Sequence, residues 1–175
     1  MKNRAKAGLT LVELLCTIVI MLLVSVGMVE GVNLAVKNYK KSLLSSESQV
    51  LCSTLTNLVS DELRYSGAVD WEANPIRFYS RTYGSECIFS QNDSKQVTLN
   101  EIQRDGTPAQ RGYKLLPNRS YHLGLRASVT LSKAKDNIFS VTILVTDSKD
   151  RELARNEFEV EKLNQEAQIN GNQSS

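Results

Sequence analysis

The sequence predicts an α+β protein in which one long N-terminal helix is followed by an antiparallel β-sheet. Apolar residues run almost without interruption from Leu9 to Val29, and helical periodicity continues as far as Tyr65. After Gly67 the pattern changes to short runs of alternating apolar and polar residues. We therefore expect a helix whose first half is wholly apolar and whose second half packs on the sheet.

The apolar segment at positions 9–30 is long enough to span a membrane. Its length corresponds to about 30 Å of helix, which is the thickness of a bilayer's hydrocarbon core. Conventional secretory signals have a shorter apolar core that ends in a small-residue cleavage site. We therefore expect this segment to remain in the mature protein as a transmembrane helix.

One acidic residue, Glu13, interrupts the apolar run from Leu9 to Val29 near its N-terminal end. A carboxylate inside a membrane is disfavoured by about 2.5 to 3.5 kcal/mol on insertion scales, so such a residue usually has a partner. The alternative is that Glu13 only reaches the membrane edge, one turn into an ordinary anchor. The residues that precede it decide between these interpretations.

The residues around Glu13 resemble the processing site of type IV prepilins and pseudopilins. A basic leader is followed by Gly8-Leu9-Thr10-Leu11-Val12-Glu13 and then by an apolar helix. In that family a membrane-embedded prepilin peptidase cuts after the glycine and methylates the new N-terminus. The resemblance implies a leader peptide at positions 1–8, cleavage between Gly8 and Leu9, and N-methylation of Leu9.

The resemblance also implies a function and a set of partners. Glu13 of one subunit would neutralise the Leu9 amine of its neighbour as subunits stack, because a buried cation and a buried carboxylate are less costly when paired. The apolar segment would then become the filament core. The partners would be other pilin or pseudopilin subunits, prepilin peptidase, the membrane and, indirectly, an assembly platform protein and a cytoplasmic ATPase. The N-terminus would lie in the cytoplasm, and the bulk would lie outside the inner membrane and later in a filament at the cell surface.

Positions 31–66 are predicted to continue the same helix as an amphipathic segment, since apolar residues recur at three- and four-residue spacings and no proline occurs before Pro75. A break could fall at Gly27 and Gly31. Two glycines weaken a helix by about 1 kcal/mol each relative to alanine, whereas a GxxxG spacing also lets helices approach closely. Local weakening, a close helix contact and incidental occurrence all stay open. The missing proline and the compact soluble domain favour a minor pilin or a pseudopilin.

Positions 67–163 are predicted to form an extracytoplasmic β-sheet domain. It should contain a hairpin about Gly84, followed by strands at 96–103, 113–116, 123–131, 138–146 and 153–162. The last three strands should form an antiparallel meander with one face that covers the helix. Positions 164–175 are polar and are predicted to be disordered.

The chain has three cysteines. Cys16 lies in the apolar segment and is expected to act as a small apolar residue. Cys52 and Cys87 could form a disulfide on the oxidising side of the membrane, and two unpaired thiols are the alternative.

No catalytic or metal-binding motif is visible in the sequence. His122 is the only histidine, and the CxxC, HExxH, GxSxG and Walker-type patterns are missing. We therefore expect a protein that is not an enzyme and that uses no cofactor and no metal.

The charge balance argues against a dedicated nucleic-acid binder. The formal net charge is +2, and three of the 21 basic residues belong to the leader, so the mature chain is nearly neutral. Arginines and tyrosines nevertheless intermingle in the predicted sheet, a composition compatible with binding of single-stranded nucleic acid. They are Arg77, Arg81, Arg104, Arg111, Arg119, Arg126, Tyr79, Tyr83, Tyr113 and Tyr121. Two alternatives therefore stay open: a competence pseudopilin in a DNA-uptake filament, and an uncleaved signal-anchored binding module at the cell surface.

Overall fold

The computed structural model of the protein describes residues 10–163. The predicted leader, Leu9 and the predicted tail at 164–175 lie outside the described residues. The chain divides into two compact units between Leu43 and Leu44. One α-helix is followed by antiparallel strands, which confirms the predicted α+β layout.

Helix α1 spans Leu11–Arg64 as a single element. It passes through Gly27 and Gly31 without a break, so the alternative of two separate helices is not what the structure contains. No proline lies within it to remove a backbone hydrogen bond. Beyond its last residue, the backbone N–H of Ser66 donates to the carbonyl of Leu63 at 3.2 Å, and the chain turns towards the first strand.

In the second unit, α1 presents one apolar stripe to the core. The buried apolar residues of the stripe lie mostly three or four positions apart, the spacing of one helix face. They are Leu51, Cys52, Leu55, Val59 and Leu63. The amphipathic half of the helix is thus held by packing rather than by helix propensity alone.

A five-stranded antiparallel sheet follows the helix, with its strands in sequence order. The strands are β1 (Val69–Asp70), β2 (Arg77–Ser80), β3 (Ser85–Gln91), β4 (Val97–Glu101) and β5 (Tyr113–Lys114). The predicted hairpin is confirmed, since β2 pairs with β3 across a turn that contains Gly84 at φ +69°. Glycine suits this turn because it adopts positive φ without steric cost.

A three-stranded antiparallel sheet completes the fold. It confirms the meander that was predicted for the last three strands. Its strands are β6 (Arg126–Lys135), β7 (Ile138–Thr146) and β8 (Glu152–Glu161). Along β7, buried residues alternate with half-buried ones, so one face of the central strand lies in the core. That face consists of Phe139, Val141, Ile143 and Val145.

The antiparallel strands of the confirmed α+β layout form two sheets. The sheets meet where the N–H of Ala127 donates to the carbonyl of Lys95 at 3.0 Å and the side chain of Gln91 donates to the carbonyl of Ala127 at 2.6 Å. Their apolar faces and the stripe of α1 form one hydrophobic core. Contacts between distant strands thus decide which strands share a sheet, and local sequence patterns do not reveal such contacts.

The start of β6 also differs from the prediction. The strand begins at Arg126 rather than at Leu123, because a 3₁₀ segment at Asn118–Gly124 precedes it. Leu123 has φ +61° and Gly124 has φ +74°, and these left-handed conformations exclude an extended strand. The strand predicted at 113–116 contains only Tyr113–Lys114.

Candidate functional site

The first residues of the predicted processing site that the structure places are Thr10 and Glu13. Gly8 and Leu9 lie outside the described residues. Thr10 directly precedes α1, and Glu13 lies in its first turn.

Thr10 and Glu13 bind each other through three hydrogen bonds. The backbone N–H and the hydroxyl of Thr10 both donate to Oε2 of Glu13 at 3.0 Å. In return, the backbone N–H of Glu13 donates to the hydroxyl oxygen of Thr10 at 3.3 Å. This reciprocal pattern is a capping box, which satisfies backbone N–H groups that an isolated helix start leaves unpaired.

The capping box gives Glu13 a role that the sequence interpretation missed. The signal was present, because a threonine followed three residues later by glutamate ahead of an apolar run is the sequence signature of this cap. A carboxylate in the first turn is also favoured by the positive end of the helix dipole. Glu13 therefore fixes where the helix begins as well as carrying a charge.

The carboxylate of Glu13 keeps capacity for another partner. Both bonds from Thr10 end on Oε2, and among the described residues no side-chain cation pairs with Glu13. A carboxylate offers about four acceptor positions on its two oxygens. An ammonium group from outside the described chain can therefore bind Glu13 while the cap stays intact.

The segment that carries Glu13 is apolar and exposed. Helix α1 contains a stretch that is long and apolar enough to cross a membrane, and none of that stretch is buried. Its uncharged polar side chains are satisfied within the helix: the hydroxyl of Thr17 donates to the carbonyl of Leu14, and that of Ser25 to the carbonyl of Met21, both at 2.7 Å. An exposed apolar surface of this extent marks contact with lipid or with other proteins.

In the comparison with known protein families, residues 3–29 match the family described as the prokaryotic N-terminal methylation motif. The chain carries a prepilin motif. The match supports membership of the type IV pilin and pseudopilin family, whose proteins are structural rather than catalytic. Together with the apolar helix, it indicates a membrane-anchored prepilin. No curated protein and no solved structure matches the chain.

Gly27 and Gly31 lie on an open part of the prepilin helix. A Cβ atom built at either position would meet no atom within 4 Å apart from its chain neighbours and the backbone of its own helix turn. The surface beside them is therefore free to receive a neighbouring helix. Helix weakening and close helix contact at these glycines both stay predictions.

The three cysteines are free thiols in the structure. Cys16 is exposed in the apolar segment, whereas Cys52 on α1 and Cys87 on β3 are buried in the core. Burial raises the pKa of the Cys52 thiol, and it is the main cause of the raised pKa of Cys87. The structure thus contains Cys52 and Cys87 as two unpaired thiols, and a disulfide between them stays a prediction.

We expect a thiol count to distinguish these states. Purified full-length chain, denatured without reductant and treated with a chromogenic thiol reagent, should give three thiols per chain if all the cysteines are free. A bridge between Cys52 and Cys87 would leave one. In the native state these two should react slowly, because only the thiolate is reactive and their raised pKa values keep them protonated.

Several of the arginines and tyrosines proposed as an alternative nucleic-acid surface have partners within the fold. Tyr83 and Tyr113 stack on each other with ring centroids 4.0 Å apart. Tyr121 is buried and accepts the backbone N–H of Val97 at 3.1 Å, so its ring is not available to a base. Arg126 is paired with Asp150 at 2.7 Å. These contacts give Tyr83, Tyr113, Tyr121 and Arg126 roles within the fold, and the nucleic-acid alternative stays a prediction.

The single histidine also has ordinary partners. Nε2 of His122 lies 3.6 Å from a carboxylate oxygen of Glu47, and Nδ1 lies 3.0 Å from the carbonyl of Arg119. Within residues 10–163, no group of three or more potential metal ligands comes together.

Proposed function

We propose that this prepilin is a structural subunit, a minor pilin or a pseudopilin, of a type IV pilus-like filament. One observation carries the proposal: the matched motif and Glu13 lie at the start of a helix whose apolar surface is exposed. Such a helix needs a bilayer before assembly and other helices after it.

Processing creates the positive charge with which the carboxylate of Glu13 pairs. Prepilin peptidase removes residues 1–8, and the freed amine of Leu9 is positively charged whether or not it is methylated. Leaving the membrane for a bundle of apolar helices removes water from both this amine and the carboxylate of Glu13. Each group is costly there alone, and pairing offsets the cost.

The geometry of Glu13 supports pairing between subunits. Oε2 is occupied by its own Thr10, and Oε1 is open to the amine of a neighbour. The cap also holds the carboxylate in place, which reduces the entropy lost when the amine binds. Assembly then proceeds in a fixed register, because a shifted neighbour leaves two charges unpaired in an apolar contact.

The path of the chain follows from this function. The leader faces the cytoplasm, the apolar segment crosses the inner membrane, and the β-sheet domain lies outside. An assembly platform protein receives the processed subunit, and a cytoplasmic ATPase supplies the energy that extracts it into the fibre.

Mass spectrometry of the membrane-extracted chain tests the proposal. In cells with active prepilin peptidase, we expect a chain that begins at Leu9 and carries one additional methyl group on its amine. In cells with an inactive peptidase, we expect the chain to keep residues 1–8. The substitution Gly8→Leu in active cells should have the same effect as the inactive peptidase.

An unprocessed chain in cells with active peptidase would contradict the filament proposal. It would support the alternative of a signal-anchored binding module at the cell surface. Loss of the leader without methylation would keep the filament proposal and remove only the modification of Leu9.

A further inference from the structure

A second acidic residue, Glu30, lies within apolar sequence at the other end of the membrane segment. The apolar composition does not stop at Val29 but continues through residues 31–36, whose only polar side chain is that of Asn33. Val32, Leu34 and Val36 are all exposed. Glu30 therefore resembles Glu13 in being a carboxylate that an assembled helix bundle would surround with apolar side chains.

The described part of the chain does not neutralise Glu30. Within residues 10–163, neither its carboxylate nor the ammonium group of Lys37 takes part in an ion pair or a side-chain hydrogen bond. The positions one turn away from Glu30 on its own face are Val26, Gly27, Asn33 and Leu34, none of which is a cation. Ion pairs within a helix form at three- or four-residue spacing, so no such pair is available to Glu30.

The first cation beyond the apolar stretch, Lys37, lies on the same face of the helix. Seven residues separate it from Glu30, which corresponds to about 10.5 Å along the axis and about 20° around it. Both side chains line one groove, together with Asn33, Leu34, Val36 and Lys40. The groove thus carries a negative charge at one end and positive charges at the other.

We propose that this groove binds a second copy of the chain, with Lys37 of one copy paired to Glu30 of the next. This inference rests on the proposed filament function. A neighbour displaced outward by about two helical turns brings its Glu30 level with Lys37 of the first copy. The pair then neutralises the second buried carboxylate of each subunit.

The direction of displacement agrees with that of the Glu13 contact. Pairing Glu13 with the Leu9 amine of a neighbour requires that neighbour to lie about 6 Å further outward, and pairing Lys37 with Glu30 requires about 10.5 Å in the same direction. Glu13 and Lys37 lie about 120° apart around the helix, so the two contacts engage two different neighbours. Both neighbours lie outward of the first copy.

The pair contributes specificity more than affinity. A buried ion pair gains little over an apolar contact, but a single buried charge without its partner is strongly unfavourable. Subunits that associate in another register would leave Glu30 against apolar side chains. The charge pair therefore excludes wrong registers of the apolar helices, which by themselves fit together in many ways.

Charge reversal in the full-length chain tests this contact in cells that assemble the filament. We expect Glu30→Lys and Lys37→Glu each to reduce the fraction of chain in sheared filaments by about tenfold or more, as for a buried charge that has lost its partner. The double variant, Glu30→Lys with Lys37→Glu, should recover most of the wild-type level, because the pair is restored with its signs exchanged. Lys41→Glu, the same charge reversal at an exposed lysine that does not line the groove, is the matched control and should have a much smaller effect.

Mass spectrometry of the N-terminus verifies that each variant is processed. Where a charge-reversal variant is not processed, disulfide cross-linking gives an independent readout. Chains carrying Glu30→Cys and chains carrying Lys37→Cys are co-expressed, both in a Cys16→Ala background. Oxidation should then link the two chains in a dimer that neither gives alone.

Three outcomes would overturn the proposal: normal incorporation of the single variants, no recovery in the double variant, or no cross-link. Failure of the double variant to recover would point instead to lipid headgroups or to a different subunit as the partner of Lys37. In each case the wild-type chain would still enter filaments. If the wild-type chain itself never enters filaments, the proposed function fails first.

Discussion

Replacing Glu13 with alanine is expected to leave cleavage after Gly8 intact and to reduce incorporation into filaments by roughly thirtyfold or more. Truncating one partner of a desolvated charge pair costs about 2 to 5 kcal/mol, and each 1.4 kcal/mol is about a factor of ten. Cleavage takes place on the single chain, before any neighbour is present. Quantitative immunoblots of sheared filaments and membranes, with mass spectrometry of the N-terminus, measure both effects.

Two further substitutions separate the charge of Glu13 from its role in the helix cap. Glu13→Gln keeps an oxygen that can accept from Thr10 but removes the charge, so it should be almost as defective as alanine. Thr10→Ala removes the capping hydroxyl at a cost of about 0.5 to 2 kcal/mol in helix stability but leaves the charge, so incorporation should fall much less. Wild-type incorporation of Glu13→Gln would show that charge neutralisation is not needed for assembly.

The elements that the sequence predicts well are those whose signals are local. Helix α1 follows from apolar spacing and the lack of proline, and its observed bounds, Leu11–Arg64, lie within two residues of the prediction. Strand β7 has the predicted bounds, Ile138–Thr146, because strict alternation marks a half-buried strand.

The elements that were missed depend on contacts between distant residues. Strand β1 has only two residues, Val69 and Asp70, and exists because they pair with Phe78 and Arg77. The division into two sheets likewise arises where Ala127 meets Lys95 rather than from any pattern within a strand.

In the candidate site, too, residues with a local sequence signal could be predicted and the others could not. Glu13 could be identified from its distance to Gly8, and Thr10 could have been identified from the capping pattern, since both signals lie within six residues. Glu30 and Lys37 could not, because neither belongs to a motif. The structure singles them out, because both side chains line one groove and neither charge has a partner among the described residues.

The packing of α1 against the sheets predicts a large difference between two leucines one turn apart. Leu55 has an exposed fraction of 0%, whereas Leu58 has one of 36%. Leu55→Ala should lower the free energy of unfolding by about 3 kcal/mol, because it removes buried apolar surface and leaves a cavity in a close-packed core. Leu58→Ala should lower it by less than about 1 kcal/mol, since solvent already reaches that side chain.

Urea unfolding of the full chain in detergent measures this difference. Trp71 is the only tryptophan, and its ring centroid lies 4.5 Å from that of Phe139 in the core, so its fluorescence reports on the packing of the second unit. The two variants share chemistry and helix propensity, so the difference between them isolates burial. Equal losses of stability would mean that α1 does not present its Leu51 to Leu63 stripe to the sheets.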